Sequence, residues 1–200
     1  MWEGYINALT DYIAKYELKA EISIDRFHVA THYRNGFDTL RKKEIKRLKE
    51  TLPEEIYQRD FQGSLWILRR NHNALGEKQI AQLQRLLAHS PALHEAYTLR
   101  TELTAIFDMQ LNQEQGKVRL QNWIKKVKAS SLTCFNKAVK TVNNHIEMIA
   151  NYFTRRANSG FVEGFNNKLK VIKRRCYGIK KVDSLFQRLW LDTAGYAIFI

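Results

Sequence analysis

Apolar residues recur at helical spacing along most of the chain. The first run forms one face of a predicted amphipathic helix: Trp2, Tyr5, Ile6, Leu9, Tyr12, Ile13 and Tyr16. A second helical pattern covers residues 27–50, and its second half is so basic that we expect it to be exposed. Residues 77–131 predict further helices, interrupted at Ser90-Pro91 and at Gly116.

The C-terminal part of the chain also has a helical pattern. One helix is predicted over residues 132–155, and Asn158-Ser159-Gly160 then interrupts the pattern. The next helix is expected to end near Tyr177-Gly178, where glycine suits a left-handed residue. A last helix over residues 183–191 and a short apolar tail over residues 196–200 follow.

Two short segments are candidates for strands. Residues 20–25 alternate, with Ile22 and Ile24 on one face, and the segment ends at Asp25, where the next helix begins. The apolar run over residues 65–68 fits either a strand or a buried helix. We therefore predict an α/β chain that is mainly helical.

The charge balance suggests a polyanionic partner. The 200 residues carry a formal net charge of +13, and such an excess attracts nucleic acids, although a solvated basic surface is the plain alternative. Cys134 and Cys176 are far apart in sequence and suggest neither a disulfide framework nor a thiolate zinc site. No apolar stretch is long enough to span a membrane and no signal peptide is evident, so we expect a cytoplasmic protein.

Glu163 is the main candidate for a catalytic, metal-binding carboxylate. It begins a polar stripe on the predicted helix, because Asn167, Lys170 and Arg174 follow at positions that share its face. A carboxylate that binds Mg²⁺ beside phosphate-binding groups has this pattern. The alternative is a solvated acid that is favoured by the positive end of the helix dipole.

The residues after Glu163 form a candidate DNA-binding helix. Residues 164–182 contain seven lysines and arginines and no acid. Such a helix would bind phosphates with little regard to sequence, while a solvated basic face is the alternative. The predicted DNA-binding residues are Asn166, Asn167, Lys168, Lys170, Lys173, Arg174 and Arg175.

Asp25 and His28 are further candidate catalytic residues, since they lie three apart where the predicted strand meets the next helix. Either side chain could contact a metal or a phosphate, and Asp25 as a helix N-cap is an equally good interpretation. With His32 they form Asp-x-x-His-x-x-x-His, but no glutamate follows His28 as zinc hydrolases of the His-Glu-x-x-His type require.

Two motifs in a fixed order resemble the DDE domain of the ISL3 family of insertion-sequence transposases. The first is Asp25-Arg26-Phe27-His28-Val29-Ala30, and the second is residues 159–170, SGFVEGFNNKLK. Residues 172–175, Tyr177-Gly178 and residues 186–189 continue the likeness, which covers essentially the whole chain.

The resemblance implies an RNase H-like core that holds Asp, Asp and Glu around a divalent ion, Mg²⁺ or Mn²⁺, for cleavage and transfer of DNA strands. Glu163 matches the last of these acids, and residues of about 61–131 match a helical insertion between core elements. DNA would be the partner, and the full-length form would be a homo-oligomer. Residues 1–200 would then be one partial catalytic domain with an incomplete RNase H-like core.

The chain departs from the family pattern at the other two acids. In similar proteins the second catalytic Asp directly precedes the segment that begins here at Met1, and the first lies further upstream, so we expect a truncated, catalytically incomplete copy. A second mapping has Asp25 as the second acid. The alternative function is a non-catalytic DNA-binding or inhibitory module derived from a transposase. A basic RNA-binding protein is a weaker alternative, because no RNA-binding signature is present.

Overall fold

A computed structural model describes residues 2–156 and 160–195, which fold as two compact units divided after Ala157. The first unit begins with helix α1 (Trp2–Lys15), as predicted. Of the apolar face predicted there, Ile6 is buried, whereas Tyr5, Leu9, Tyr12 and Tyr16 are exposed. The periodicity therefore located this helix, but its face contributes little to the core of the unit.

The prediction of a strand over residues 20–25 was wrong. The segment has no neighbouring strand, and the described residues of the chain contain no strand at all. It packs against helices instead: the Ile24 N–H donates to the Met148 carbonyl oxygen (3.0 Å), and the Asn151 side chain donates to the Ile22 carbonyl oxygen (2.9 Å). The helical part of the α/β prediction is confirmed.

Helix α2 (Arg26–Thr51) is the long central helix of the first unit and packs against α3, α6 and α8. The expectation that its basic half is exposed was wrong for Arg41 and Glu44, which are buried. Arg41 donates to Asp38 (3.1 Å), and Glu44 accepts a hydrogen bond of 2.7 Å from the Ser90 hydroxyl. Burial is possible here because each charge has a partner.

A series of helices follows α2 and includes the predicted helical block. These are α3 (Glu54–Phe61), α4 (Ser64–Arg69), a 3₁₀ turn (His72–Ala74), α5 (Glu77–Ala88), α6 (Pro91–Asp108) and α7 (Gln113–Ala129). The apolar run over residues 65–68 is thus part of a helix. Ser90 caps α6 through the Leu93 N–H, as expected for a Ser-Pro start. Gly116, in contrast, lies inside α7 and does not interrupt it.

The helix predicted over residues 132–155 is two helices, α8 (Asn136–Asn144) and α9 (Ile146–Arg155). The break is at His145, whose φ of −128° and ψ of 28° leave the helical region. Both helices pack against α7, so the bend allows the apolar faces of both helices to contact the same core. Trp123 is buried in that core, and its indole N–H donates to the Leu99 carbonyl oxygen (2.8 Å).

The second unit is a helical hairpin of α10 (Gly160–Arg175) and α11 (Val182–Ala194), which pack against each other. Ile172 and Leu189 are its buried apolar residues among those described. The predicted helix ends are close to those observed. Asn158 and Ser159 of the predicted break and the apolar tail over residues 196–200 lie outside the described residues.

Candidate nucleic-acid interface and acidic site

Glu163 lies in the first turn of α10 and is exposed. An acid is favoured there by the partial positive charge of the helix N-terminus. Asn166 and Asn167 follow on the next turn and are also exposed. Since Asn167, Lys170 and Arg174 lie four, seven and eleven positions after Glu163, the predicted stripe of one acid, one amide and two cations lies on a single face of α10.

The cations of α10 fall into two groups. Lys170, Lys173, Arg174 and Arg175 are exposed. Lys168 instead points to α11, where its Nζ lies 3.0 Å from Asp192 Oδ2 and 3.3 Å from the Asp192 carbonyl oxygen. Lys168 therefore helps to join the two helices, and the other four cations form the basic surface of the hairpin.

The hairpin unit carries a strong positive charge for its size. Residues 158–200 contain eight basic and three acidic side chains, a net charge of +5. Two of the acids, Asp183 and Asp192, belong to α11, and Asp192 is already paired with Lys168. The basic surface of α10 is consequently left with Glu163 as the acid on its own helix.

Asp25 is the N-cap of α2. Its backbone is extended (φ −61°, ψ 138°), and its Oδ1 accepts a hydrogen bond of 3.0 Å from the Phe27 N–H. The neighbouring Arg26 pairs with Asp108 at 2.6 Å and so ties the start of α2 to the end of α6. The capping interpretation of Asp25 is thus confirmed as geometry, and it leaves a catalytic role as a separate proposal.

His28 lies in the first turn of α2 and is exposed, with its ring 6.5 Å from that of Phe27. Asp25 and His28 belong to the first unit, whereas Glu163 belongs to the second. Within residues 2–156 and 160–195, no group of three or more His, Cys, Asp or Glu side chains is arranged to hold a metal ion.

A pair of catalytic metal ions needs several carboxylates from different elements. The described residues do not fit such a pair by themselves, because no set of three such side chains, with or without Glu163, comes together among them. What the chain does bring together is one exposed acid and four exposed cations on α10, an arrangement suited to binding a nucleic-acid backbone.

Tyr177 has features of a ligand-binding residue but was not among the site residues predicted from the sequence. Tyr177, just after α10, has a relative exposure of 101% and a φ of +51°. The only signal in the sequence was the Tyr-Gly pair at the end of a basic helix. Gly178 has the left-handed φ expected of it (+78°), but the pair did not indicate that the preceding tyrosine is left-handed as well.

None of the helices formed by the described residues is long and apolar enough to cross a membrane.

Comparisons with known proteins agree on one class. A protein-family model for ISL3-type DDE domains, described as "Transposase", matches residues 1–189. The chain is 29% identical over 195 residues to the transposase of insertion sequence element IS1001 from Bordetella parapertussis, covering 94% of this chain and 47% of that protein. It is 25% identical over 138 residues to the transposase of IS1557 from Mycobacterium tuberculosis, covering 69% and 31%.

The chain spans less than half the length of these curated relatives. No solved structure matches it significantly.

Proposed function

Because the chain belongs to the ISL3 family of DDE transposases, we propose that it is part of an enzyme that cleaves and transfers DNA strands by metal-dependent phosphoryl transfer. The observation that carries this proposal is the family match over residues 1–189, which includes α10 with Glu163 and its basic surface. The transposases of IS1001 and IS1557 are relatives of the same kind.

In this proposal Glu163 is the last of the three catalytic acids and a metal ligand. Glu163 is exposed in the first turn of α10, on the same helix as the basic surface that would bind DNA. Members of the family use divalent metal ions, and Mg²⁺ or Mn²⁺ would supply charge stabilisation at the phosphate. Lys170, Lys173, Arg174 and Arg175 would hold the DNA backbone, with Asn166 and Asn167 bonding to phosphates or bases.

We further propose that these 200 residues do not contain the complete set of acids. The family motifs assign Glu163 to the last position and place Asp25-x-x-His28 after the second acid, so two aspartates would come from residues outside this sequence. Residues of about 61–131, which form the end of α3 and helices α4 to α7, would be the helical insertion beside an RNase H-like core. In the full enzyme the working form would be a homo-oligomer.

The test is a cleavage assay on supercoiled DNA that carries the terminal repeats of the element. Two proteins are compared: the 200-residue chain, and a longer product that adds the reading frame upstream of Met1. We expect Mg²⁺-dependent cleavage only from the longer product, and we expect Glu163→Gln to abolish it while DNA binding persists. Cleavage by the 200-residue chain that depends on Glu163 would refute the incompleteness, and cleavage by the longer Glu163→Gln variant would refute the role of Glu163.

A second candidate function is an inhibitory DNA-binding module. The observation that favours it is the separate compact unit of α10 and α11, with its net charge of +5, which can bind DNA without any catalytic step. Co-expression of the chain with an active transposase of the same element should then lower the transposition frequency. An unchanged frequency, at comparable amounts of the two proteins, would reject this function.

A further inference from the structure

Helix α10 ends in a backbone motif that requires a left-handed residue. The Gly178 N–H donates to the Lys173 carbonyl oxygen (2.8 Å), and the Tyr177 N–H donates to the Arg174 carbonyl oxygen (3.2 Å). This pair of bonds is the Schellman arrangement, in which the residue after the cap takes positive φ. That residue here is Tyr177, with a φ of +51°.

A tyrosine at this position is costly to the fold. Residues with a Cβ are strained in the left-handed region, and glycine normally occupies this place in the motif. The Tyr177 ring is fully exposed, so the strain is not compensated by packing within the described chain. Neither the turn nor the core of the hairpin unit needs the ring. The backbone bonds of the motif hold this conformation, and residues held in such strained conformations cluster at ligand-binding and active sites.

The surroundings of Tyr177 are strongly cationic. The ring borders an open surface cleft of about 660 Å³, whose other lining residues are Lys170, Lys173, Arg174 and Gly178. Three of these five residues are cations and none is an acid. Gly178 adds no side chain, and a Cβ placed there would meet nothing within 4 Å, so the cleft stays open on that side.

An exposed aromatic face beside several cations fits a nucleotide whose base is unpaired. The cations bind the phosphates, and the ring stacks on the face of the base. In a base-paired duplex the base faces are covered by their neighbours, so a blunt duplex offers the cations their phosphates but offers the ring no partner. An acidic peptide would satisfy the cations equally well but would give the ring no role.

We propose that Tyr177 is a stacking platform for an unpaired base of the DNA, with Lys170, Lys173 and Arg174 binding the phosphates around it. This inference rests on the proposed function, since it names the form of DNA that the same basic surface binds. The preferred ligand is a duplex end with a single-stranded extension, the kind of structure present where a strand has been cut.

The test compares two probes, a blunt duplex and the same duplex with a short single-stranded extension that contains 2-aminopurine. Stacking on the ring should quench the 2-aminopurine fluorescence. Tyr177→Ala should weaken binding of the extended probe roughly five- to hundredfold, as expected for loss of base stacking, and remove the quenching. Binding of the blunt duplex should be unchanged. Tyr177→Phe, which keeps the aromatic face, should behave like the wild type.

Tyr177→Gly separates stacking from folding. Glycine relieves the left-handed strain, so the thermal midpoint should rise while binding of the extended probe falls. Equal affinity of the wild type for the two probes, or unchanged binding by Tyr177→Ala, would overturn the stacking role and leave the DNA-binding surface in place. Failure of the wild type to bind either probe at low salt would overturn the DNA-binding part of the proposed function as well.

Discussion

Gly116 of α7 lies directly against the ring of Phe153 of α9. A Cβ placed on Gly116 would come within 2.3 Å of Phe153 Cδ2, which is far inside van der Waals contact. The Phe153 ring is buried and stacks on Phe107, with ring centroids 5.6 Å apart. The ring therefore cannot move away without disturbing α6, and the approach of α7 to α9 depends on a residue without a side chain.

We predict that Gly116→Ala destabilises the protein by roughly 1–2 kcal/mol, the part of the overpacking cost that exceeds the gain in helix propensity. Alanine is the better helix former by about 1 kcal/mol, but overpacking against a buried ring costs more than that gain. Urea unfolding would measure the difference in the free energy of unfolding. The control is Gly4→Ala in α1, where a Cβ meets nothing within 4 Å and helix propensity alone acts. A higher free energy of unfolding for Gly116→Ala than for the wild type would show that the Phe153 ring can move to make room for the added methyl group.

Asp60, the penultimate residue of α3, is a buried acid with three side-chain partners, Arg59, Arg85 and His89. Its side chain has no exposed surface, and it accepts hydrogen bonds of 2.9 Å from Arg59 and from Arg85. His89 Nε2 lies 3.0 Å from Asp60 Oδ2. The hydrogen bonds from Arg59, and then those from His89 and Arg85, hold the pKa of the Asp60 carboxyl well below its usual range, against the opposing effect of burial.

The lowered pKa of Asp60 predicts a definite pH dependence. Because the folded-state pKa lies below the unfolded value of about 3.9, the carboxylate stabilises the fold above that pH, and this contribution is lost as the pH falls towards the folded-state pKa. At pH 7 we expect Asp60→Asn to lower the free energy of unfolding by roughly 1.5–3 kcal/mol, the usual worth of hydrogen bonds to a charged group.

The measurement for Asp60 is urea unfolding of the wild type and Asp60→Asn between pH 7 and the acid range. The difference between the two proteins should shrink below about pH 4, as the wild-type carboxyl takes up its proton. Other acids cancel in this comparison because both proteins contain them. A difference that stays constant with pH would contradict the role of the charge.

Asp25 can be tested as a cap and as an acid separately. Asp25→Ser keeps an N-cap oxygen for the Phe27 N–H but removes the carboxylate, whereas Asp25→Ala removes both. We expect the alanine variant to lose about 0.5–2 kcal/mol of stability and the serine variant to lose much less. If Asp25 is only a cap, a full-length Asp25→Ser enzyme keeps its cleavage activity. Loss of activity in a stable serine variant would instead support the second mapping, in which Asp25 is a catalytic acid.

The two groups of cations on α10 predict different salt dependences. Lys170→Gln should reduce the slope of log affinity against log salt concentration by about 1, the effect of removing one phosphate contact. Lys168→Gln is the same chemical change two positions away, but Lys168 is paired with Asp192. We therefore expect it to leave the slope almost unchanged. Equal reductions by the two variants in a fluorescence-anisotropy titration would show that Lys168 also contacts DNA.

Much of the secondary structure and of the candidate site was accessible from the sequence. Helices α1, α2, α10 and α11 were predicted close to their observed ends. Helical hydrogen bonds join residues four apart, so a helix depends on residues that are close in sequence and its apolar periodicity can be seen there. The net charge and the motif around Glu163 were local properties too, and the match of the family model confirms the class of protein that they indicated.

Only the tertiary structure decided what depends on residues distant in the chain. The segment at residues 20–25 is not a strand, because its Ile24 N–H donates to a carbonyl oxygen of a helix and not to a neighbouring strand. Lys168 and Lys170 look alike in sequence, but only Lys168 is paired with Asp192 of another helix, whereas Lys170 is exposed. Asp60 likewise has a neighbour in sequence, Arg59, as one partner, but only the fold brings Arg85 and His89 to it. Local pattern therefore determined the helices and the charge, while long-range packing determined which charged side chains are paired and which are left exposed.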